Sequence, residues 1–373
     1  MKILMLLHGF APEGRGGTES YVLRLAHELR ALKHEVEIAC GSFEARPKPE
    51  VVTGTWEGLR VHRIHRTGLF LDDWDKSYAP EIDGPLDQIL RSFRPDLAHI
   101  HHWIRLSRHL AEALHDRGVP AVATLHDFWS TCPIAFRIRK GESFCTLPPG
   151  AASCHDCAKH AANADDAENA EALELFREDF KNELGLVRRI FVPSNAHKAE
   201  TLRHRPEVAG RMRVLPFAPL GALRPRPEAR RPSADGRLRV RHWGHLYRVK
   251  GVDLLLDAAA SLPDRLRARL DLKLIGPIPF PQDRDGLFER AAACGAVLTD
   301  APFTPADLEA EPADVAVFPS RASESWSFVL DEAFQLGLPA IVPARGALGE
   351  RVGRAGATFV PENAASLAEV LRA

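Results

Sequence analysis

Pro319 to Ala333 reads PSRASESWSFVLDEA and holds two carboxylates, Glu324 and Glu332, eight positions apart. Ser325, Trp326 and Ser327 follow the first acid, and Phe328-Val329-Leu330 precede the second. Just upstream, Asp314 to Phe318 is an apolar run of strand length. The order is therefore strand, short polar loop, helix, with one acid on the loop and one inside the helix. A strand-to-helix turn directs unpaired backbone N–H groups out of the sheet edge, where phosphates bind. Carboxylates beside such a turn do not suit phosphate. They suit sugar hydroxyls, which donate strong hydrogen bonds to an ionised acceptor. A nucleotide sugar needs both. Two solvated helix charges are the bland alternative for any Glu pair, and the strand in front of this one argues against it.

Three more segments carry chemistry. Gly244-His245-Leu246-Tyr247-Arg248-Val249-Lys250-Gly251 sits where a strand meets a helix. Lys250 there could neutralise a pyrophosphate leaving group as negative charge gathers on it. Gly14-Arg15-Gly16-Gly17-Thr18-Glu19 precedes another helix, and its glycines allow backbone to approach a ligand. It is neither a G-x-G-x-x-G fingerprint nor a Walker loop, and a plain turn is an equal reading. Thr124-Leu125-His126-Asp127-Phe128 ends a strand with a histidine and an acid. His101 and His102 also end a strand, where ordinary backbone-bonded histidines are the favoured reading.

These segments together resemble the retaining glycosyltransferases of family 4, whose signature is Glu-x7-Glu and whose architecture is GT-B: two Rossmann-like α/β domains facing each other across a cleft. The resemblance implies that Glu324 holds the donor sugar's hydroxyls and Glu332 the ribose. It implies donor contacts from Ser325, Trp326, Ser327, Phe328 and Gly276. It puts Lys250, with His245 and Arg248, at the diphosphate, and His126 at the donor sugar or β-phosphate. Gly16, Gly17 and Thr18 would form the loop by the acceptor and donor phosphates. The family pattern is Gly-Arg-Leu, three residues, then Lys-Gly, and this chain has His245 where the Arg is usual. A neutral His supplies one donor and no charge, and a bound phosphate would favour its protonated form. The implied activity is retaining transfer of a sugar from a nucleotide-diphosphate sugar to an acceptor hydroxyl on a glycan, a lipid-linked saccharide or a small metabolite. It needs neither a protein nucleophile nor a catalytic cofactor. The alternatives are a nucleotide-sugar epimerase of the same fold and a non-catalytic nucleotide-sugar-binding protein. Members of the family usually continue beyond a segment like Ala364 to Ala373.

The elements that must position these groups alternate along the chain. Strands are expected at Ile3 to Leu7, Val36 to Cys40, Pro95 to His101, Pro120 to Leu125, Ile190 to Pro193, Arg239 to Trp243, Leu272 to Ile275, Val315 to Phe318 and Ala340 to Val342. Helices are expected after the first strand, at Arg105 to Arg117, Asp165 to Arg188, from Ser194 to Arg203 and at Gly251 to Leu262. Alternation of this kind builds parallel sheets covered on both faces. Prolines crowd residues 216–236, so the expected division is an acceptor-side domain 1–215 with a Cys-rich insertion near 132–157, a linker 216–236 and a donor domain 237–373.

The 373 residues suffice for two ordinary domains. A net charge of −1 offers no footprint for nucleic acid. No apolar run reaches a membrane span, and Lys2 to Leu7 reads as a first buried strand rather than a signal peptide. The expectation is a cytoplasmic protein, with peripheral membrane contact left open. Cys132, Cys145, Cys154 and Cys157 are one further puzzle. Cys154-His155-Asp156-Cys157 is half of a zinc knuckle that the two upstream thiolates would complete as a closed structural site. Uncoordinated thiols in an insertion are the even alternative.

Overall fold

The computed structural model describes residues 1–14, 16–68, 74–139, 143–160, 164–231 and 233–373. Arg15 of the glycine-rich loop and Pro232 of the linker lie outside them. The chain divides into two compact units, Met1–Ala135 with Thr146–Leu220, and Phe136–Cys145 with Gly221–Ala373.

The strands of the first unit are β1 (Lys2–Leu7), β2 (Glu35–Gly41), β3 (Glu50–Trp56), β4 (Leu59–His65), β5 (Leu97–Ile100) and β6 (Ala121–Thr124). Then β7 (Ile138–Arg139) and β8 (Ser143–Phe144) form a hairpin in the second unit. The chain returns for β9 (Ile190–Val192) and β10 (Met212–Val214). Among the described residues the sheet order is β10-β9-β6-β5-β1-β2-β4-β3. Ile3 to Leu7 are all buried, as a parallel strand covered on both faces requires. The β3–β4 pair is antiparallel. Glu57 and Gly58 turn it with φ of 47° and 74°, two positive values whose twist matches a two-residue hairpin. The helix expected from Arg105 begins only at Leu110. Arg105 has φ 61°, a left-handed backbone that no α-helix admits.

In the second unit the strands are β11 (Leu238–Trp243), β12 (Leu270–Ile275), β13 (Val297–Thr299), β14 (Val315–Val317), β15 (Ala340–Pro343) and β16 (Gly356–Phe359). Their order is β13-β12-β11-β14-β15-β16, parallel throughout. One face is covered by a core that includes Leu255, Leu287 and Leu367, the other by one that includes Leu330, Leu336 and Leu348. This is a doubly wound sheet. Strand order reverses between β11 and β14, and ligands bind such sheets in the crevice outside the strand carboxyl ends at that reversal. The first unit reverses in the same way between β1 and β5. No helix among the described residues is long and apolar enough to cross a membrane.

Candidate functional site

At the β11/β14 reversal two loops meet, and glycine makes the meeting possible. Gly251 has φ 71°, and a Cβ there would lie 2.0 Å from the Pro319 carbonyl oxygen. Arg321 N donates to Val249 O at 2.9 Å, and the Arg321 guanidinium grips Asp253. So pinned, the loop after β14 brings Glu324 to Lys250. Lys250 Nζ donates to Glu324 Oε1 at 2.7 Å, and Ser320 Oγ donates to the same oxygen at 2.8 Å. Burial pulls the Lys250 ammonium down, but the charges of Glu324 and Tyr247 outweigh it and hold its pKa above the usual value. The site therefore presents a fixed cation beside a carboxylate whose position is set by two donors.

Glu332 lies one helix further in, on Phe328–Gln335. Its Oε2 accepts from Trp243 Nε1 at 2.6 Å, and burial holds its pKa above the ordinary range. Gly276, at the end of β12, has φ 155°, and a Cβ there would sit 1.7 Å from the Gly244 carbonyl oxygen. The carboxyl ends of β11 and β12 are thus in direct backbone contact. His245 is exposed beside this turn, its pKa lowered by partial burial and then by Lys250.

Two of the expected donor contacts have protein partners of their own. Arg248 stands 3.8 Å from Asp253 and lines a cavity of about 250 Å³ with Gln282, Asp283 and Arg290. Trp326 is almost wholly buried. Its indole N–H donates to Asp331 at 2.8 Å, and the Arg351 guanidinium covers its ring at 3.5 Å. Arg351 also donates to the carbonyls of Trp326 and Ser327, at 2.7 and 3.1 Å, and pairs with Asp331. This clamp holds Ser327 at φ 75°, directly before the helix that starts at Phe328. Strain of this kind persists only where surrounding contacts enforce it. Ser325 and Phe328 flank the clamped segment, both half-buried.

The β1/β5 reversal of the first unit gathers histidines. His101 Nδ1 lies 3.0 Å from His126 Nε2, and His102 Nε2 lies 3.1 Å from Asp127 Oδ2. Burial pushes the His126 pKa down to about 3, so its imidazole is neutral at working pH. Burial would raise the Asp127 carboxyl, but His102 and the Trp129 N–H outweigh it and bring it to about 2. In the glycine-rich loop, Gly16 caps the helix Gly17–Ala31. Glu19, which the sequence left aside, accepts from Gly16 N at 3.0 Å and pairs with His8 at 3.1 Å. That occupies the Gly16 N–H. Gly17 and Thr18 open the helix behind it.

The four cysteines expected to hold zinc are divided between the two units. Cys145 goes with the second unit while Cys132, Cys154 and Cys157 stay in the first. Among the described residues, the one group of metal-ligating side chains whose atoms gather is His155, His160 and Asp166. Sequence reading also missed Ser320 as a donor to Glu324, and Arg351, which clamps the signature loop through Trp326, Ser327 and Asp331. Arg351 in particular lies outside every local motif.

Residues 15–217 match the family described as Glycosyltransferase Family 4, and residues 237–373 match Glycosyl transferases group 1. A D-inositol 3-phosphate glycosyltransferase of Arthrobacter sp. (strain FB24) is 27% identical over 96% of this chain and 81% of its own length. Among solved structures, sucrose-phosphate synthase from Thermosynechococcus elongatus superposes with a TM-score of 0.72 at 20% identity, covering 100% of this chain and 89% of that one. Anabaena Alr3699/HepE in complex with UDP-glucose gives 0.65 at 18% identity, covering 100% and 89%. These likenesses establish the GT-B fold, two parallel-sheet α/β domains.

Proposed function

The chain belongs to glycosyltransferase family 4, and from that premise we propose that it transfers a sugar, with retention at the anomeric carbon, from a nucleotide-diphosphate sugar to an acceptor hydroxyl. One observation carries the proposal: Lys250 and Glu324 meet at 2.7 Å at the strand-order reversal of the second unit, where doubly wound sheets take nucleotides. There Lys250 would stabilise charge building on the leaving diphosphate. Glu324, its Oε1 held by Lys250 and Ser320, keeps Oε2 for a sugar hydroxyl. Glu332 would take the ribose, with Trp243 orienting its other oxygen. His126, neutral, would donate or accept a hydrogen bond without adding charge. His245 would gain its proton when phosphate binds. Ser325, Phe328 and the clamped turn at Ser327 would set the helix N-terminus toward the phosphates, and Gly276 would give the base a close backbone approach.

No side chain here is asked to attack the sugar. Orientation and electrostatics supply the rate, and no metal is assigned a catalytic role. A solved relative is described in complex with UDP-glucose, so uridine diphosphate sugars are the first donors to offer. The acceptor is an alcohol, with sugar phosphates and inositol phosphates the first to try. The test measures release of nucleoside diphosphate with and without acceptor. Release that depends on acceptor, with an α-linked product from an α-linked donor, supports the proposal. Release without acceptor favours an epimerase, and binding without release favours a non-catalytic protein.

A further inference from the structure

Helix Asp166–Leu186 of the first unit is capped by Asp165, whose side chain accepts from Glu168 N at 2.9 Å. Asp166, the first helical residue, is therefore not needed by the cap, and its carboxylate is 86% exposed. Two imidazoles from the segment after helix Ala151–Cys154 converge on it. His155 Nε2 lies 3.6 Å and His160 Nδ1 3.9 Å from the same Asp166 Oδ1. Both distances exceed those of good hydrogen bonds. A cluster held only by hydrogen bonds would bring one N–H closer, to about 3.2 Å or less. The observed spacing suits something between the atoms: two ligands each about 2.1 Å from a tetrahedral ion stand about 3.4 Å apart.

The outer nitrogens support the same arrangement. His160 Nε2 lies 3.0 Å from the His155 carbonyl oxygen, and His155 Nδ1 lies 3.5 Å from Asp156 Oδ1. The carbonyl acceptor at 3.0 Å makes His160 Nε2 the N–H and leaves Nδ1 with its lone pair, and the longer Asp156 contact biases His155 in the same direction. Histidines that bind metals are oriented in this way. We propose that His155 Nε2, His160 Nδ1 and the Asp166 carboxylate bind a zinc ion, with water at the fourth position. Two imidazoles and one carboxylate form a recognised zinc donor set. The site joins the segment after Cys154 to the start of the long helix. It is independent of the proposed transfer reaction and uses no thiolate.

The experiment takes the full chain without an affinity tag, strips it with chelator, dialyses it against Zn²⁺ and counts bound metal by mass spectrometry. One zinc per chain is expected. His160→Ala with Asp166→Asn should abolish that binding and leave the far-ultraviolet circular dichroism unchanged. Asp156→Ala should weaken it by about tenfold, the low end for loss of an outer partner. Replacing Cys132, Cys154 and Cys157 by Ser should leave it intact. Less than stoichiometric zinc on the parent chain overturns the proposal. So does zinc that survives His160→Ala with Asp166→Asn, or zinc that leaves with the cysteines.

Discussion

Replacing Lys250 by Met keeps the length of the side chain and removes its ammonium. Two quantities should then change by different amounts. The first is stability. At 2.7 Å the attraction to Glu324 is about 1.5 kcal/mol in water and about 6 kcal/mol at an effective dielectric of 20, before desolvation is subtracted. The Lys250 side chain is 32% exposed and that of Glu324 15%, so solvent screens the pair and a net coupling of about 1–2 kcal/mol is expected. A double-mutant cycle of Lys250→Met with Glu324→Gln, read by urea unfolding, measures it. Its pH dependence has a definite sign. The folded Lys250 pKa is raised, so the pair's contribution is complete below the unfolded lysine value of about 10.4 and is lost only as pH rises through the folded value. The coupling should be equal at pH 6 and pH 9. The second quantity is turnover. Loss of one preorganised charge at a leaving diphosphate costs about 10²–10³ in kcat, or about 2.7–4 kcal/mol. Donor-dependent release of nucleoside diphosphate reports it. If Lys250→Met loses the coupling but keeps kcat within about threefold of the parent, Lys250 merely holds Glu324 and the electrostatic argument is wrong.

Ser320→Ala removes one of the two donors on Glu324 Oε1 and should cost about 1 kcal/mol of transition-state binding, read as a fivefold fall in kcat/KM for the donor. Gly276→Ala drives a Cβ into the Gly244 carbonyl and should destabilise the second unit by more than about 3 kcal/mol, read as loss of soluble folded protein. Glu183 accepts from Trp103 Nε1, Ala111 N and Glu112 N, while burial pushes its pKa up to about 8 against those donors. The native state then keeps a proton that the unfolded chain releases near pH 4.5, so stability should fall as pH rises from about 4.5 to about 8. Glu183→Gln should flatten that fall, as unfolding titrations across the range will report.

The parts legible in the sequence are those encoded locally. Strand–helix alternation gives two parallel sheets because each apolar run carries its own period. Glu324, Glu332 and Lys250 could be picked out because a turn between strand and helix has a short-range signature. The contact that joins them could not, since it depends on Gly251 meeting Pro319 across the sheet. Trp326 looked like a ligand platform because nothing near it in sequence reveals Arg351, whose guanidinium covers it. No strand was expected over β3 and β4, although Val51 to Trp56 and Leu59 to His65 flank Glu57-Gly58, where the chain turns. The spacing of the cysteines is local and could be read, whereas the route of the chain between units, which puts Cys145 apart from the other three, could not.

That route bears on how the protein can be dissected. The chain passes from one unit to the other after Ala135, after Cys145 and after Leu220. The hairpin lent to the second unit is anchored there: Phe144 N donates to Glu362 at 2.9 Å, and the Arg345 guanidinium, itself bonded to Glu362 at 2.6 Å, rests on the Phe144 ring. A truncation beginning at the proline-rich stretch would strip Arg345 and Glu362 of this borrowed cover. A protease cut in the same stretch would leave residues 136–145 on the N-terminal fragment, although they belong to the second unit. Genetic separation of the lobes must carry residues 136–145 along with the C-terminal piece, through a grafted copy or a circular permutation.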